Sequence, residues 1–414
     1  MRNSRVIFAL GFLSIVISPQ PFICLGTLCG FIIFLRFLEW DSYLRMHLSF
    51  VFLMIFTVLF SSYLNNTAIG YEEQKRLIGV AAVGFNLIFF RKYLFFWTSD
   101  EDRRINAFLF LCFGLLFSTL IWYNFKISVS ESNYSWIKFY GAFPLAITVA
   151  QLSVTPLFKR MNISISKIGV VTGLILYSSE AKSAAFLVVF GTIAMSRFSG
   201  GTRSARRQSI SEAKLKSSKL SFVSYSVAAL LVSSLVWYLG YRGFLGSKSQ
   251  RGISEYGPNI FAALSNARPE LQISMSAIRQ MPWYGYGTPD NALGFGFGYL
   301  ANLSDVSAIN LHLINMRVLG NGLNVHSWFF DMVLRGGLIV GLLFIPLVIS
   351  ILRVLIHPEL FRKFPGLYLA CLFTLFDLFF SPFTWFSPIQ LALSLLALEK
   401  TKLESGNRKQ LDLP

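Results

Sequence analysis

The chain has 414 residues, of which 54% are hydrophobic, 16% aromatic and only 14% charged, with a mean hydropathy of +0.57 and a formal net charge of +17. A soluble domain carries about a quarter charged residues and lacks a series of apolar runs of roughly twenty residues, so composition excludes a soluble enzyme and specifies a polytopic membrane protein. The runs are continuous rather than alternating, which specifies helices and excludes a β-barrel.

The positive charge does not point to nucleic acid, because no basic domain stands apart from the apolar runs; Lys and Arg accumulate instead in the loops expected on the cytoplasmic side. The four cysteines (Cys24, Cys29, Cys112 and Cys371) all lie inside apolar runs. They read as small core residues, without a disulfide framework. Four histidines, with no HExxH and no paired-Cys spacing, give no zinc motif, and neither a metal nor a cofactor is expected.

In chain order, Arg2 and Arg5 precede an apolar run that looks like a signal peptide. A second run follows at once through Pro19-Gln20-Pro21 without a small-residue cleavage site, so the two predict an uncleaved hairpin over about residues 6–18 and 21–38. Further spans are expected at about 46–63, 77–95, 105–123, 138–157, 164–178, 181–196 and 219–240. The last three are expected at about 328–352, 365–381 and 384–399, giving about twelve spans. The chain thus divides into an N-terminal bundle over 1–240, a long loop over 241–325, C-terminal spans over 326–400 and a tail over 401–414.

Charge sets the orientation. With the N-terminus inside, Arg91/Lys92/Arg103/Arg104, Lys159/Arg160/Lys167, the basic connection from Arg197 to Lys219 and the tail with Lys400, Lys402, Arg408 and Lys409 all fall inside. Both termini are then cytoplasmic and the long loop lies on the outer face. Within the loop, RPELQISMSAIRQMP has the spacing of an amphipathic helix ending before Pro282. The glycine-dense GYGTPDNALGFGFGY that follows suits a mobile loop or a close approach to a ligand. A nucleotide-binding reading of GFGFG lacks the flanking strand that it needs.

Polar groups gather at the outer boundary. Lys182 sits in a short turn, YSSEAKSAA, between two apolar runs; Arg268 opens the loop helix and Arg279 lies three turns on; His326 and Ser327 stand at the entrance of the tenth span; Asp377 lies late in the eleventh. An ionisable group at the edge of an apolar helix is costly and so marks a candidate site. Simpler alternatives stand beside these: Asp377 as a helix-packing partner for a buried Lys or Arg, Lys182 as a lysine reaching for headgroups, His326 as a helix-start hydrogen bonder, Arg279 and Arg317 as solvated loop charges. Taken together, Lys182, Arg268 and Arg279 are suited to neutralising a diphosphate. A neutral His326 is suited to taking a proton from an attacking hydroxyl, with Asp377 to orient it. Trp283, Tyr284, Tyr286 and Trp328 offer flat faces to sugars or to lipid headgroups.

At these residues the chain resembles the O-antigen ligase and O-antigen polymerase superfamily of bacterial envelope glycosyltransferases. The resemblance rests on Arg268 followed by AIRQMPWYGYG, similar to the family's Arg and helix ending in Pro-x-x-Gly-x-Gly; on VHSWFFDMVLRGGLIVGLLF, similar to its His-Asn-x-x-Leu…Gly-Leu-x-Gly segment; and on LYSSEAKSAA, similar to its Ser-Arg-small turn. The resemblance covers nearly the whole chain. It implies an all-α integral membrane protein of the bacterial inner membrane, GT-C-like, with about twelve transmembrane helices and one large periplasmic loop containing short helices. It further implies a metal-independent enzyme that moves a glycan from undecaprenyl diphosphate to a lipid A core, a growing polymer or another hydroxyl. Lys182 and Arg268 then hold the diphosphate, His326 is the base, and Asp377 matches a late acidic residue. Two positions depart from the pattern: Lys182 replaces the usual Arg, losing its bidentate fork, and Ser327 replaces the usual Asn. One dominant outer loop favours a ligase over a polymerase. The competing expectations are a transporter or flippase of lipid-linked sugars, and a non-catalytic assembly protein.

Overall fold

The computed structural model describes residues 10–18, 23–37, 41–67, 69–96, 100–126, 141–161, 163–178, 181–200, 234, 238–239, 241–243, 250, 269–288, 325, 327–357, 361–381 and 387–411. These are mostly helical, and the helices follow the apolar runs. They are α1 (Leu25–Phe37), α2 (Ser42–Leu64), α3 (Tyr71–Arg91, continued by a π-helical turn Lys92–Phe96), α4 (Glu101–Lys126), α5 (Ala142–Leu152) and the single turn α6 (Pro156–Arg160). There follow α7 (Ile165–Ser178), α8 (Lys182–Gly200), α9 (Pro269–Gln280), α10 (Trp328–Leu355), α11 (Pro365–Phe380) and α12 (Ser387–Leu411). Among the described residues, four helices are long and apolar enough to cross a membrane: Ser42–Leu64, Gln74–Phe95, Glu101–Ile121 and Trp328–Leu355. The described part of the chain is therefore all-α in its main architecture, as suits a membrane protein built of apolar helices.

The helices depart from the sequence expectation at several places. In the described part of the first expected span, Phe12–Ser14 is a 3-10 turn, and Val16–Ser18 pairs antiparallel with Ile23–Cys24, Val16 opposite Cys24. That segment is pinned by Ser14 Oγ donating to the Leu111 carbonyl at 2.8 Å, which holds it against α4 instead of letting it run as a straight helix. Lys182 is not in a turn; it is the first residue of α8. The expected tail is helical as far as Leu411, because its Glu, Lys, Arg and Leu are good helix formers that extend α12. The expected span over 219–240 falls almost wholly outside the described residues, as does the GFGFG passage.

Packing places α12 at the centre. From Ser387 to Lys400 it is buried on every side, as a helix apolar all round must be. Around it, Phe89, Phe90, Tyr93, Phe108, Tyr368 and Phe344 are fully buried. Small residues let backbones approach: Gly30 faces the Phe85 carbonyl across the α1–α3 contact, and Gly169 and Gly173 face Thr192 and Val189 in the α7–α8 hairpin. This is how helices associate where lipid removes the hydrophobic driving force between them. The outward faces of α2 and α10 stay apolar and exposed, with Phe52, Phe56 and Phe60 on the former and Leu338, Leu342 and Ile345 on the latter. Such stripes suit lipid and are far larger than a soluble surface tolerates.

One end of the bundle is tied by ions. Arg91 Nε donates to both carboxylate oxygens of Glu399, at 2.7 and 2.9 Å, and its Nη2 donates to Asp41. Asp41 in turn caps α2, accepting from Leu44 N–H at 2.8 Å. The Tyr43 hydroxyl donates to the Leu395 carbonyl, and the Lys400 ammonium lies 3.6 Å from the centre of the Phe364 ring. The two carboxylates thus anchor α12 and α2 to the end of α3. Removing Glu399 takes two charge-assisted hydrogen bonds from Arg91 and leaves it Asp41, so Glu399→Ala is expected to cost about 2 kcal/mol. Thermal unfolding in detergent checks this; a loss below about 0.5 kcal/mol would show that the pair behaves as a solvated surface bridge.

Candidate functional site

The opposite end of the bundle holds the candidate site, and it is built around a break in α10. Gly337 lies at φ +73°, ψ −173°, inside what is otherwise one helix. This backbone region is open essentially to glycine alone. In an unbroken helix Leu338 N–H would bond to the Leu334 carbonyl. Here Leu338 N–H donates to the Pro282 carbonyl at 2.6 Å, while the Leu334 and Arg335 carbonyls accept from Tyr286 N–H at 2.7 Å and Gly287 N–H at 3.0 Å. The segment Pro282–Gly287, PWYGYG, therefore fills the gap as a backbone latch.

Two glycines make the latch possible. Gly285 has φ +67°, and a Cβ there would stand 2.6 Å from both the Gly337 nitrogen and the Leu334 oxygen; Gly287 has φ +72° and faces Ser62 and Thr67. Of the glycine-rich stretch, Gly285 and Gly287 are described and lie close against α10 and the end of α2; its other glycines, with the expectation of a mobile loop or a close approach to a ligand, fall outside the described residues. Asn65 Nδ2 donates to the Gly285 carbonyl at 3.0 Å, tying in α2, and Asn66 lets α2 end with a left-handed residue at φ 51°. The Tyr286 hydroxyl donates to the Ala277 carbonyl at 2.8 Å, tying in α9. Burial raises the Tyr286 phenol above its ordinary range, so it stays a neutral donor.

Directly before the break lies an ionic cluster that the sequence reading missed. Asp331 and Arg335 are both buried, and Arg335 Nε donates to the two Asp331 oxygens at 3.3 Å each. Arg76 reaches across from the start of α3, its Nη1 donating to Asp331 Oδ2 at 2.6 Å. One signal was in the sequence: an acid and an arginine spaced i, i+4 in an apolar run, which by cost alone marks a site. Arg76 carried no such signal, since its partner lies 255 positions away.

Two of the expected site residues lie on helix ends that are joined. Ser327 is buried and N-caps α10, accepting from Phe330 N–H at 3.3 Å and donating to the Leu378 carbonyl at 3.0 Å; Trp328 N–H donates to the Ser381 carbonyl at 3.0 Å. The entrance of α10 is thereby fastened to the end of α11, where Asp377 stands with the Ser381 and Gln390 side chains beside its carboxyl. Ser327 thus bonds the backbone of the residue after Asp377, while the Asp377 carboxyl faces Ser381 and Gln390. Arg279 is exposed in the last turn of α9, as a solvated cation at a helix C-terminus should be. Trp283 and Tyr284 are largely exposed, while Tyr286 and Trp328 are buried. Lys182 contributes a described backbone position only, and Arg268, Arg317 and His326 lie outside the described residues. Among the described residues, no three His, Cys, Asp or Glu side chains group as a metal site. Comparison with family models, with curated proteins and with solved structures found no match.

The break predicts an asymmetric response to adding one methyl group. Gly337→Ala forces a non-glycine residue into a glycine-only region and drives its Cβ into the Trp283 carbonyl, an expected loss of at least about 2 kcal/mol and exposure of the latch to protease. Gly341→Ala, whose Cβ meets only side chains, the nearest at 3.2 Å, is expected to cost under about 1 kcal/mol. Equal behaviour of the two variants would refute the latch.

Proposed function

We propose that the chain is an inner-membrane glycosyltransferase of the O-antigen ligase type, acting on the periplasmic face. The observation that supports this reading most is that the two segments carrying the resemblance, PWYGYG of the loop and RGGLIVG of the tenth span, lie against each other and are joined by backbone hydrogen bonds at the head of α10. In this reading about twelve spans cross the membrane, and both termini are cytoplasmic. The donor is a glycan on undecaprenyl diphosphate and the acceptor is a hydroxyl of a lipid A core or similar glycan.

The chemistry follows from the residue types. The acceptor oxygen attacks the anomeric carbon as His326 takes its proton; the bond to the diphosphate oxygen breaks, and the leaving charge is met by Arg268, Lys182 and Arg279. Direct displacement inverts that carbon. In this reading Asp377, in the helix end to which Ser327, the residue after His326, is bonded, orients the base. A polymerase of the same superfamily uses the same groups with a growing glycan as acceptor.

A transporter of lipid-linked sugars is the second reading, and the broken α10 favours it, because discontinuous helices build transporter sites. Such sites pair two broken helices in similar halves. Among the described residues, only α10 carries a break.

The deciding experiment measures glycan transfer in membranes carrying His326→Ala or Arg268→Ala at matched expression, with the lipid-diphosphate-linked glycan as donor. A fall of at least about a hundred-fold, with donor lipid accumulating, is the expected outcome. Unchanged transfer in both variants removes the catalytic assignment, and movement of donor across proteoliposomes without transfer establishes the transporter instead.

A further inference from the structure

The broken turn of α10 has a second way to satisfy its backbone. In a continuous helix the Leu334 carbonyl accepts from Leu338 N–H and the Arg335 carbonyl from Ile339 N–H, each four residues on. In the latched structure Tyr286 N–H and Gly287 N–H supply those two carbonyls, and Leu338 N–H goes to the Pro282 carbonyl. Withdrawing PWYGYG therefore strands none of these groups in α10, once Gly337 leaves φ +73°, ψ −173° for helical dihedrals. Glycine is the residue that takes both conformations at little steric cost. The groups that lose partners belong to the latch: the Pro282 carbonyl and the Tyr286 and Gly287 N–H. Trp283 and Tyr284 in the same segment are 60% and 50% exposed, so water is close at hand for them.

Small opposing terms separate the two arrangements. Latching buries Tyr286 and adds the bond from its hydroxyl to the Ala277 carbonyl and the bond from Asn65 to the Gly285 carbonyl. Against that stand the ordering of Gly285 and Gly287, which have more freedom to lose than other residues, and the non-helical dihedral of Gly337. We propose that α10 is a two-state helix, broken while PWYGYG is seated and continuous when it is withdrawn, so that this segment is a strap over the candidate site. Straightening at Gly337 re-aims the turns before it, which carry Asp331 and Arg335, and with them the bond from Arg76. Withdrawal thus uncovers the head of α10 and moves its charged cluster in one step. The switch belongs to this end of the bundle whatever reaction takes place there, so loss of the transferase reading leaves it standing.

Amide hydrogen exchange in the full-length protein in detergent, read residue by residue by mass spectrometry, tests the switch. Leu338 N–H has a partner in both states, Pro282 or Leu334, whereas Tyr286 N–H and Gly287 N–H have their α10 partners only when latched. Tyr286 and Gly287 are therefore expected to exchange at least about a hundred-fold faster than Leu338. Tyr286→Phe, which removes the hydroxyl bonded to Ala277 and leaves α10 untouched, is expected to speed exchange at positions 286 and 287 about five-fold, with Leu338 unchanged. Gly337→Ala, which disfavours the broken state, is expected to abolish protection at Tyr286 and Gly287 while Leu338 stays protected. If that variant fails to insert, the wild type and Tyr286→Phe decide the matter. Exchange of all three amides at one rate in both of those proteins overturns the proposal: a slow common rate makes the latch a fixed part of the fold, and a fast one makes the opening a local unfolding of α10. A folded Gly337→Ala protein whose latch amides stay as protected as in the wild type overturns it as well.

Discussion

A backbone group freed inside an apolar helix has no water to turn to and must find a protein partner. The break at Gly337 frees such groups, and their partners come from a segment some fifty positions earlier in the chain. Much of the site end depends on that exchange. Because Pro282, Tyr286 and Gly287 have to lie against α10, α9 is brought down on the bundle through Tyr286, and the end of α2 is drawn in through Asn65. The loop that would otherwise be a free excursion becomes part of the helix it caps. The turn that is interrupted is the one that carries Arg335, so the position of that guanidinium depends on the latch as well as on Asp331.

The legibility of this chain followed the physics of each feature. Helices α2, α3, α4 and α10 were readable because a continuous apolar run long enough to cross a bilayer has few other fates. The helix over Pro269–Gln280 was readable from its period and from the proline after it. The break was not. Gly336-Gly337 sits in an apolar run where small residues usually serve helix packing, and only the partner segment shows that Gly337 is there for its dihedral freedom. The PWYGYG glycines read as part of a mobile loop or of a close approach to a ligand, and sequence could not show that these two lie against α10 and α2. Ser327 and Asp377 were both singled out, yet the junction of their two helices depends on the Leu378 and Ser381 carbonyls, which carry no sequence signature. The first expected span failed for a related reason. Ser14 in an apolar run reads as neutral, although its bond to the Leu111 carbonyl fixes that stretch of chain against α4.

The two ends of the bundle use the same ingredients for different purposes. At the Arg91 end an arginine takes a carboxylate from each of two helices, Glu399 through both oxygens, and its side chain is 11% exposed. That arrangement closes the structure: it fixes the end of α12 against α2 and α3. Among the described residues, the Asp331 end sets one carboxylate between two arginines, Arg335 from its own helix and Arg76 from the start of α3. The first is a knot among three helices. The second joins two, at the turn where α10 breaks.

Stability alone does not account for the second arrangement. A buried ion pair gives little net stabilisation over apolar side chains of the same size, because desolvating both charges offsets most of their attraction. The head of α10 is moreover already held without it: the latch bonds its carbonyls, Ser327 caps its first turn, and Trp328 N–H is fixed to Ser381. Phe329 and Phe379 pack the same junction with ring centres 5.6 Å apart. Replacing Asp331 and Arg335 by leucines would leave those contacts in place. What would be lost is the buried carboxylate that holds Arg76 and Arg335 together at the head of α10. A charged cluster that is expensive to bury and is not needed to hold the helix marks the head of α10 as a candidate site.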